Sequence, residues 1–100
     1  MVYTENTAFE WDAAKNIANF KKHGILFEEA IFVFYDENCF IEEDLKHSQA
    51  EDRELALGET ELGLICVVYT IRLDPFKNRI ISARRATKNE REQYEKNKRV

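Results

Sequence analysis

Glycine and proline are scarce, three and one in 100 residues, which excludes collagen-like repeats and Gly/Pro-rich linkers and leaves disorder to the chain ends. There are only two cysteines. Cys39 and Cys66 each sit in an apolar stretch with no second Cys or His at a metal-ligand spacing, so zinc-finger architecture is excluded. Both read as buried free thiols, against the alternatives of a disulfide or a nucleophile, because a reducing cytosol disfavours bridges. No apolar run reaches the roughly 18 residues needed to cross a bilayer. The opening MVYTENTAFEW has neither a basic flank nor a signal-type apolar core, so a cytoplasmic location without membrane attachment is expected. Phosphate-binding glycine loops and nucleophile elbows are also missing. What is left is acid–base chemistry without a cofactor or metal, or binding without chemistry.

The length allows one domain spanning 1–100, with room for one sheet and a few helices. Hydrophobic residues make up 44% and charged residues 34%, the balance of a globular protein. The net charge of −4 hides an asymmetry. Residues 1–70 carry 5 Lys/Arg and 15 Asp/Glu, a balance of −10, whereas residues 71–100 carry 10 and 4, a balance of +6. A basic end on an acidic body suggests a local phosphate-binding surface. The same charges also suit a solvated helix rich in Lys and Arg.

Asp12 precedes Ala14, Ile17 and Ala18 at helical spacing, and Gly24 can supply a left-handed C-cap, which predicts a first helix over 12–23. Two glutamates at a helix start and the apolar run after them predict a second, short, buried helix over 28–35, although the all-apolar run Ala30 to Phe34 by itself also fits a buried strand. From Asn38 the period changes. Cys39–Glu43, Arg53–Gly58, Leu64–Arg72 and Arg79–Ala86 read as strands joined by short polar connections, most simply an antiparallel meander. Thr87 and Glu90 form a capping box that opens a charged helix towards Lys98. The expected fold is therefore α+β: two N-terminal helices, a four-stranded antiparallel sheet covered by helices on one face, and a C-terminal helix.

Within Arg79 to Ala86, strict alternation sets Ile81, Ala83 and Arg85 on one face and Ile80, Ser82 and Arg84 on the other. Antiparallel pairing puts Arg72 near Arg79, beside the turn, and Arg84 nearer the opposite end. These arginines either pair with the abundant acids upstream or clamp a phosphate, a task that suits planar, permanently charged guanidinium groups. Lys46, His47 and Ser48 lie in the loop after the first strand, followed by Glu51, Asp52 and Arg53. A loop histidine beside carboxylates can act as a general acid or base, or be a plain turn residue. His23, just before Gly24, reads as a helix C-terminal charge.

Several segments together resemble the BrnT toxin family: F-E-W-D-x-x-K-x-x-x-N-x-x-K-H-G at 9–24, F-E-E-A at 27–30, H-S-x-x-E-x-R at 47–53, A-L-G at 56–58, V-V-Y-T at 67–70 and R-I-I-S-A-R-x-A-T-x-x-E-R-x-x-Y at 79–94. The resemblance covers about 9–95. It implies a RelE-like toxin fold and a metal-independent endoribonuclease that inhibits translation. It also implies neutralisation by a BrnA-type ribbon-helix-helix antitoxin, in a heteromeric complex that represses its own operon and reaches operator DNA through the antitoxin. On matching motifs, the implied catalytic set is His47, Glu51, Arg53, Arg72 and Arg84. Arg79, Arg85, Lys88 and Tyr94 are the implied RNA-binding set. The acidic N-terminal part can serve the antitoxin contact. A second function remains open, a non-catalytic module that binds its antitoxin and tunes operon repression.

Overall fold

The computed structural model describes residues 2–3, 8–44, 52–73 and 76–98. The elements run β1 (Val2–Tyr3), β2 (Phe9–Trp11), α1 (Ala13–His23), α2 (Phe27–Ala30), a 3-10 turn (Ile31–Tyr35), β3 (Phe40–Glu43), β4 (Glu54–Thr60), β5 (Gly63–Arg72), β6 (Lys77–Arg85) and α3 (Lys88–Asn97). The α+β class and the antiparallel meander β3-β4-β5-β6 are as expected. The sheet as a whole is not: it is six-stranded and mixed, in the order β1-β2-β6-β5-β4-β3. The added strand β2 runs parallel to β6, with Phe9 against Asn78 and Glu10 against Arg79. At three residues, all buried, it is too short to show a period of two and is held by its neighbours' packing.

The second N-terminal helix also differs from expectation. Only 27–30 is α-helical, and 31–35 tightens to a 3-10 turn. In that turn residues three apart eclipse. Ala30 and Val33 accordingly face the sheet, both fully buried, while Phe32 and Tyr35 are 57% and 59% exposed. The tighter turn also brings the Val33 backbone against Gly58 of β4, where an added Cβ would lie 2.5 Å from the Val33 carbonyl oxygen and 2.9 Å from its Cα.

Helix α1 has the expected bounds and caps. Asp12 accepts from the Lys15 amide at 3.0 Å, and Gly24 adopts φ 73°. Its orientation, however, is reversed relative to its apolar stripe. Ala14, Ile17 and Ala18 face solvent, and the buried side chains are Asn16 and Asn19. Asn16 donates to Glu28 at 2.6 Å and accepts from the Phe27 amide at 2.8 Å, pinning the start of α2. Polar side chains are buried here because they satisfy backbone groups that would otherwise be orphaned.

Two cores flank the sheet. On one face Phe9, Trp11, Ile65, Val67, Tyr69, Ile80 and Ala83 pack beneath α2 and the 3-10 turn. On the other, Leu57, Leu64 and Cys66 pack with Tyr94 of α3. Helices therefore cover both faces, not one. Residues of β4 and β5 alternate strictly between the two cores, as the pleat requires.

Candidate functional site

The face that carries α3 also carries the arginines. A register shift between Val68 and Tyr69 pairs Val68 with Ser82 but Tyr69 with Ile80, so Ile81 is the extra residue of a β-bulge. The bulge breaks the expected alternation along β6. Ile80 and Ala83 share the helix-packed core, whereas Arg79, Ser82 and Arg84 look to the other face through their partners Thr70, Val68 and Cys66. Arg85 pairs with Ile65 and lies on the face opposite Arg84, where its Nη1 donates to the Leu62 carbonyl. Strict alternation would have set Arg84 with Ile80 and Arg85 with Ala83; the bulge instead moves Ile80 to the Ala83 side, away from Arg84, and Arg85 stands apart from the cluster.

Along this face Thr70 pairs with Arg79, and Arg72 with Lys77. Glu54 pairs with Tyr69, so the ladder extended by one residue sets Arg53 beside Thr70 on its other side. Asp44 donates its backbone amide to the Arg53 carbonyl at 2.8 Å, which continues the β3–β4 ladder to this point. Adjacent strands lie about 4.8 Å apart, so Arg53, Thr70 and Arg79 form one row across three strands. Glu10, aligned with Arg79, extends the row onto β2. Thr70, Glu10 and Asp44 are all buried. Among the described residues the Thr70 hydroxyl has no hydrogen-bond partner. A buried unpaired hydroxyl costs about 1–3 kcal/mol, which marks this spot as one where the fold tolerates a cost.

Arg84 lies in the Cys66 row, four β5 residues from Thr70, or about 13 Å at the usual strand rise. Its guanidinium makes a two-pronged bond with Glu90, Nη1 to Oε1 at 2.7 Å and Nη2 to Oε2 at 2.9 Å. Glu90 also completes the capping box: its Oε1 accepts from the Thr87 amide at 2.9 Å, and its own amide donates to the Thr87 hydroxyl at 3.1 Å. The bond from Arg84 holds the Glu90 carboxyl below its ordinary range against the opposing effect of burial. The same bond raises the Arg84 pKa. Burial pushes the neighbouring Cys66 thiol up to about 12, so this sulfur is a packing group, not a nucleophile. Cys39 is likewise raised, to about 11, by burial. Both cysteines are free, as expected, but only Cys66 is buried; Cys39 is partly exposed.

The structure therefore brings Arg53, Arg72 and Arg79 to one end of one face, with Arg84 farther along the same face. Tyr94 is buried on this side of the sheet, but its hydroxyl donates to Asp36 Oδ2. Lys88 is exposed in the first turn of α3. His47 and Glu51 lie outside the described residues. Thr70, Glu10 and Asp44 were missed by sequence reasoning, although Thr70 shares a face with Arg72 by simple alternation along β5. Glu90 was legible as a helix cap but not as the partner of Arg84. Among the described residues no three His, Cys, Asp or Glu side chains are placed so that they could hold a metal ion. Nor is any described helix long and apolar enough to cross a membrane.

No curated protein matches the chain in sequence. A family model described as the ribonuclease toxin BrnT of type II toxin–antitoxin systems matches residues 11–90. That span takes in every element from α1 to the first turn of α3, including all four arginines of the sheet face, and the chain belongs to the BrnT family of ribonuclease toxins.

Proposed function

We propose that the chain is a metal-independent endoribonuclease whose substrate lies across the sheet face bearing Arg53, Arg72, Arg79 and Arg84. In the reaction a ribose 2′-hydroxyl loses its proton to a base and attacks the adjacent phosphorus. The P–O5′ bond breaks, leaving a 2′,3′-cyclic phosphate, and an acid returns a proton to the departing 5′-oxygen. His47 and Glu51 are the proton-transfer candidates carried over from the family motif. Arg53, Arg79 and Arg72 hold the phosphate and offset the charge that develops on it. Arg84 engages the strand farther along, and Lys88 lies at the start of α3 on the same path. Cleaved messages would account for inhibition of translation. A BrnA-type ribbon-helix-helix antitoxin would silence the enzyme and carry the complex to operator DNA, and the mixed sheet would be a variant of the RelE-like fold.

The observation that carries this reading is the register, which gathers permanently charged side chains of β5, β6 and the residue before β4 around a buried hydroxyl that has no partner among the described residues. Purified, antitoxin-free protein incubated with RNA in the presence of a chelator tests it. Cleavage should persist with chelator and fall on the order of 10²–10³ in Arg79→Ala. Cleavage abolished by the chelator would overturn the metal-free mechanism, and full activity in Arg79→Ala would overturn the phosphate site. One observation favours a second reading: the fork of Arg84 is already filled by Glu90. On that reading the chain only binds its antitoxin and tunes repression, and RNA stays intact under every condition of the same assay.

A further inference from the structure

At the opposite end of β4 and β5 from the arginine row, the 3-10 turn and the β4–β5 hairpin enclose a groove of ≈ 590 Å³. Its lining is of two kinds. Phe32 and Tyr35 stand against each other, ring centroids 5.8 Å apart, and are more than half exposed. Around them are four carboxylates, Glu29, Asp36, Glu59 and Glu61. Among the described residues no Lys or Arg nitrogen pairs with any of the four, since the ion pairs found there are Arg84–Glu90 and Lys98–Glu95.

The walls are fixed by backbone. Asp36 accepts from the Glu59 amide at 2.8 Å, tying the end of the 3-10 turn to β4. The Thr60 hydroxyl donates to the Gly63 carbonyl at 3.0 Å and accepts from the Leu62 amide at 3.1 Å, stiffening the hairpin tip. The groove is preformed, and a ligand entering it loses little to ordering of the protein. Aromatic floors ringed by one sign of charge are built for a segment that brings an apolar anchor and the opposite charge. Another exposed apolar surface, Ile17 and Phe20 of α1, is flanked by Lys15, Lys21 and Lys22 and would repel such a segment.

We propose that this groove is the docking site for a basic segment of the antitoxin, one that seats an apolar side chain on Phe32 and Tyr35 and places Arg or Lys against Glu59 and Glu61. The proposal rests on the toxin–antitoxin reading of the chain and is independent of how RNA is cut.

Amide NMR of the full chain, titrated with a synthetic peptide of arginines and leucines, maps the site. The expected shifts centre on Phe32, Tyr35 and Glu59 to Leu62. Glu59→Gln with Glu61→Gln, and separately Phe32→Ala, should each weaken binding about tenfold or more, while Ile17→Ser leaves it unchanged. A peptide with citrulline in place of arginine should bind no better than the double variant. Co-expressed with the cognate antitoxin, Phe32→Ala combined with Glu61→Gln should co-purify with less of it than wild type does.

Equal binding of the citrulline peptide, shifts centred on α1 or on the arginine face, or undiminished antitoxin recovery by the variants would overturn the proposal. So would dimerisation of the chain alone that disappears in Phe32→Ala, since the groove would then belong to a second copy. Antitoxin-free Phe32→Ala should cleave RNA as wild type does. A chain that takes the peptide in the groove but never cuts RNA would sink the nuclease reading and leave the docking site standing.

Discussion

Asn19 and Ala83 are joined by two hydrogen bonds, the Asn19 amide donating to the Ala83 carbonyl at 2.9 Å and its carbonyl accepting from the Ala83 amide at 3.1 Å. The pair lies where β2 has already ended and, among the described residues, the outer edge of β6 has no strand beside it. A side-chain amide reproduces the donor and acceptor of a neighbouring strand, so α1 covers the edge that the short β2 leaves open. Asn19 also donates to the Ile25 carbonyl at 2.9 Å, fixing the chain as it leaves the helix.

Replacing Asn19 with Ala strands three buried backbone groups at once. The expected loss is about 2–4 kcal/mol, or a fall in Tm of roughly 10–20 °C for a domain of this size. Asn19→Asp should be comparably harmful, since a carboxylate cannot donate to either carbonyl. Thermal unfolding followed by circular dichroism measures both. An unchanged Tm in Asn19→Ala would show that water or backbone movement replaces the lost bonds.

This contact also marks the limit of what a linear pattern reveals. Strands β4, β5 and β6 were legible because long alternating or β-branched runs suit a pleated surface, and α3 was legible from its capping box. The facing of α1 was not, because Ile17 and Ala18 are the apolar choice by composition while the partners of Asn16 and Asn19 lie on other elements. Strand β2 was too short to have a period. The site was half legible for a related reason. Arginine-rich strands can be read from composition, but which arginines share a face depends on the bulge at Ile81, and a bulge changes neither charge nor hydropathy. The pairing of Arg84 with Glu90 required knowing that α3 folds back onto the sheet.

Gly58 is the next test. The residue lies inside β4, where glycine usually weakens a strand or marks a close approach, and here the approach is to the Val33 backbone. Its would-be Cβ meets backbone atoms under 3 Å away, which cannot swing aside as a side-chain tip could. Gly58→Ala should therefore destabilise the fold by about 1–3 kcal/mol, read as a lower urea midpoint with unchanged slope. Because the 3-10 turn must move outward, amide shifts should spread to Phe32 and Tyr35. A neutral result would mean that the turn and β4 separate easily.

The Arg84–Glu90 pair gives a pH dependence. Glu90 is held below its ordinary value of 4.5 by the bond from Arg84, with burial working the other way. A carboxyl depressed in the folded state contributes stability that is complete above its unfolded pKa, and this is lost as pH falls through the folded value. Stability should thus be level from neutrality down to about pH 4.5 and drop below it. Asp36 adds to the drop: although burial raises its pKa, bonds from the Glu59 amide, the Tyr94 hydroxyl and the Asn38 amide lower it overall. Glu90→Gln should flatten the acid limb without removing it, because the contribution of Asp36 stays. Urea midpoints across this pH range check it, and an acid limb as steep as wild type would show that the pair adds nothing to folding.

Thr70 separates a functional cost from a structural one. Its hydroxyl is buried and has no partner among the described residues, and it sits in register between Arg53 and Arg79. Val has nearly the same shape and no hydroxyl to leave unsatisfied, so Thr70→Val should raise stability, by about 1 kcal/mol. If the hydroxyl is kept because it donates to a phosphate oxygen held by the two arginines, the same variant should lose cleavage rate by roughly tenfold, about 1.4 kcal/mol of transition-state stabilisation. Thr70→Ser, which keeps the hydroxyl, should restore most of the rate while losing stability through the missing methyl group. The opposite movement of the two readouts is the signature. Should Thr70→Val become more stable and cut RNA as fast as wild type, the hydroxyl has no part in the reaction, and the phosphate must be held by the arginines alone.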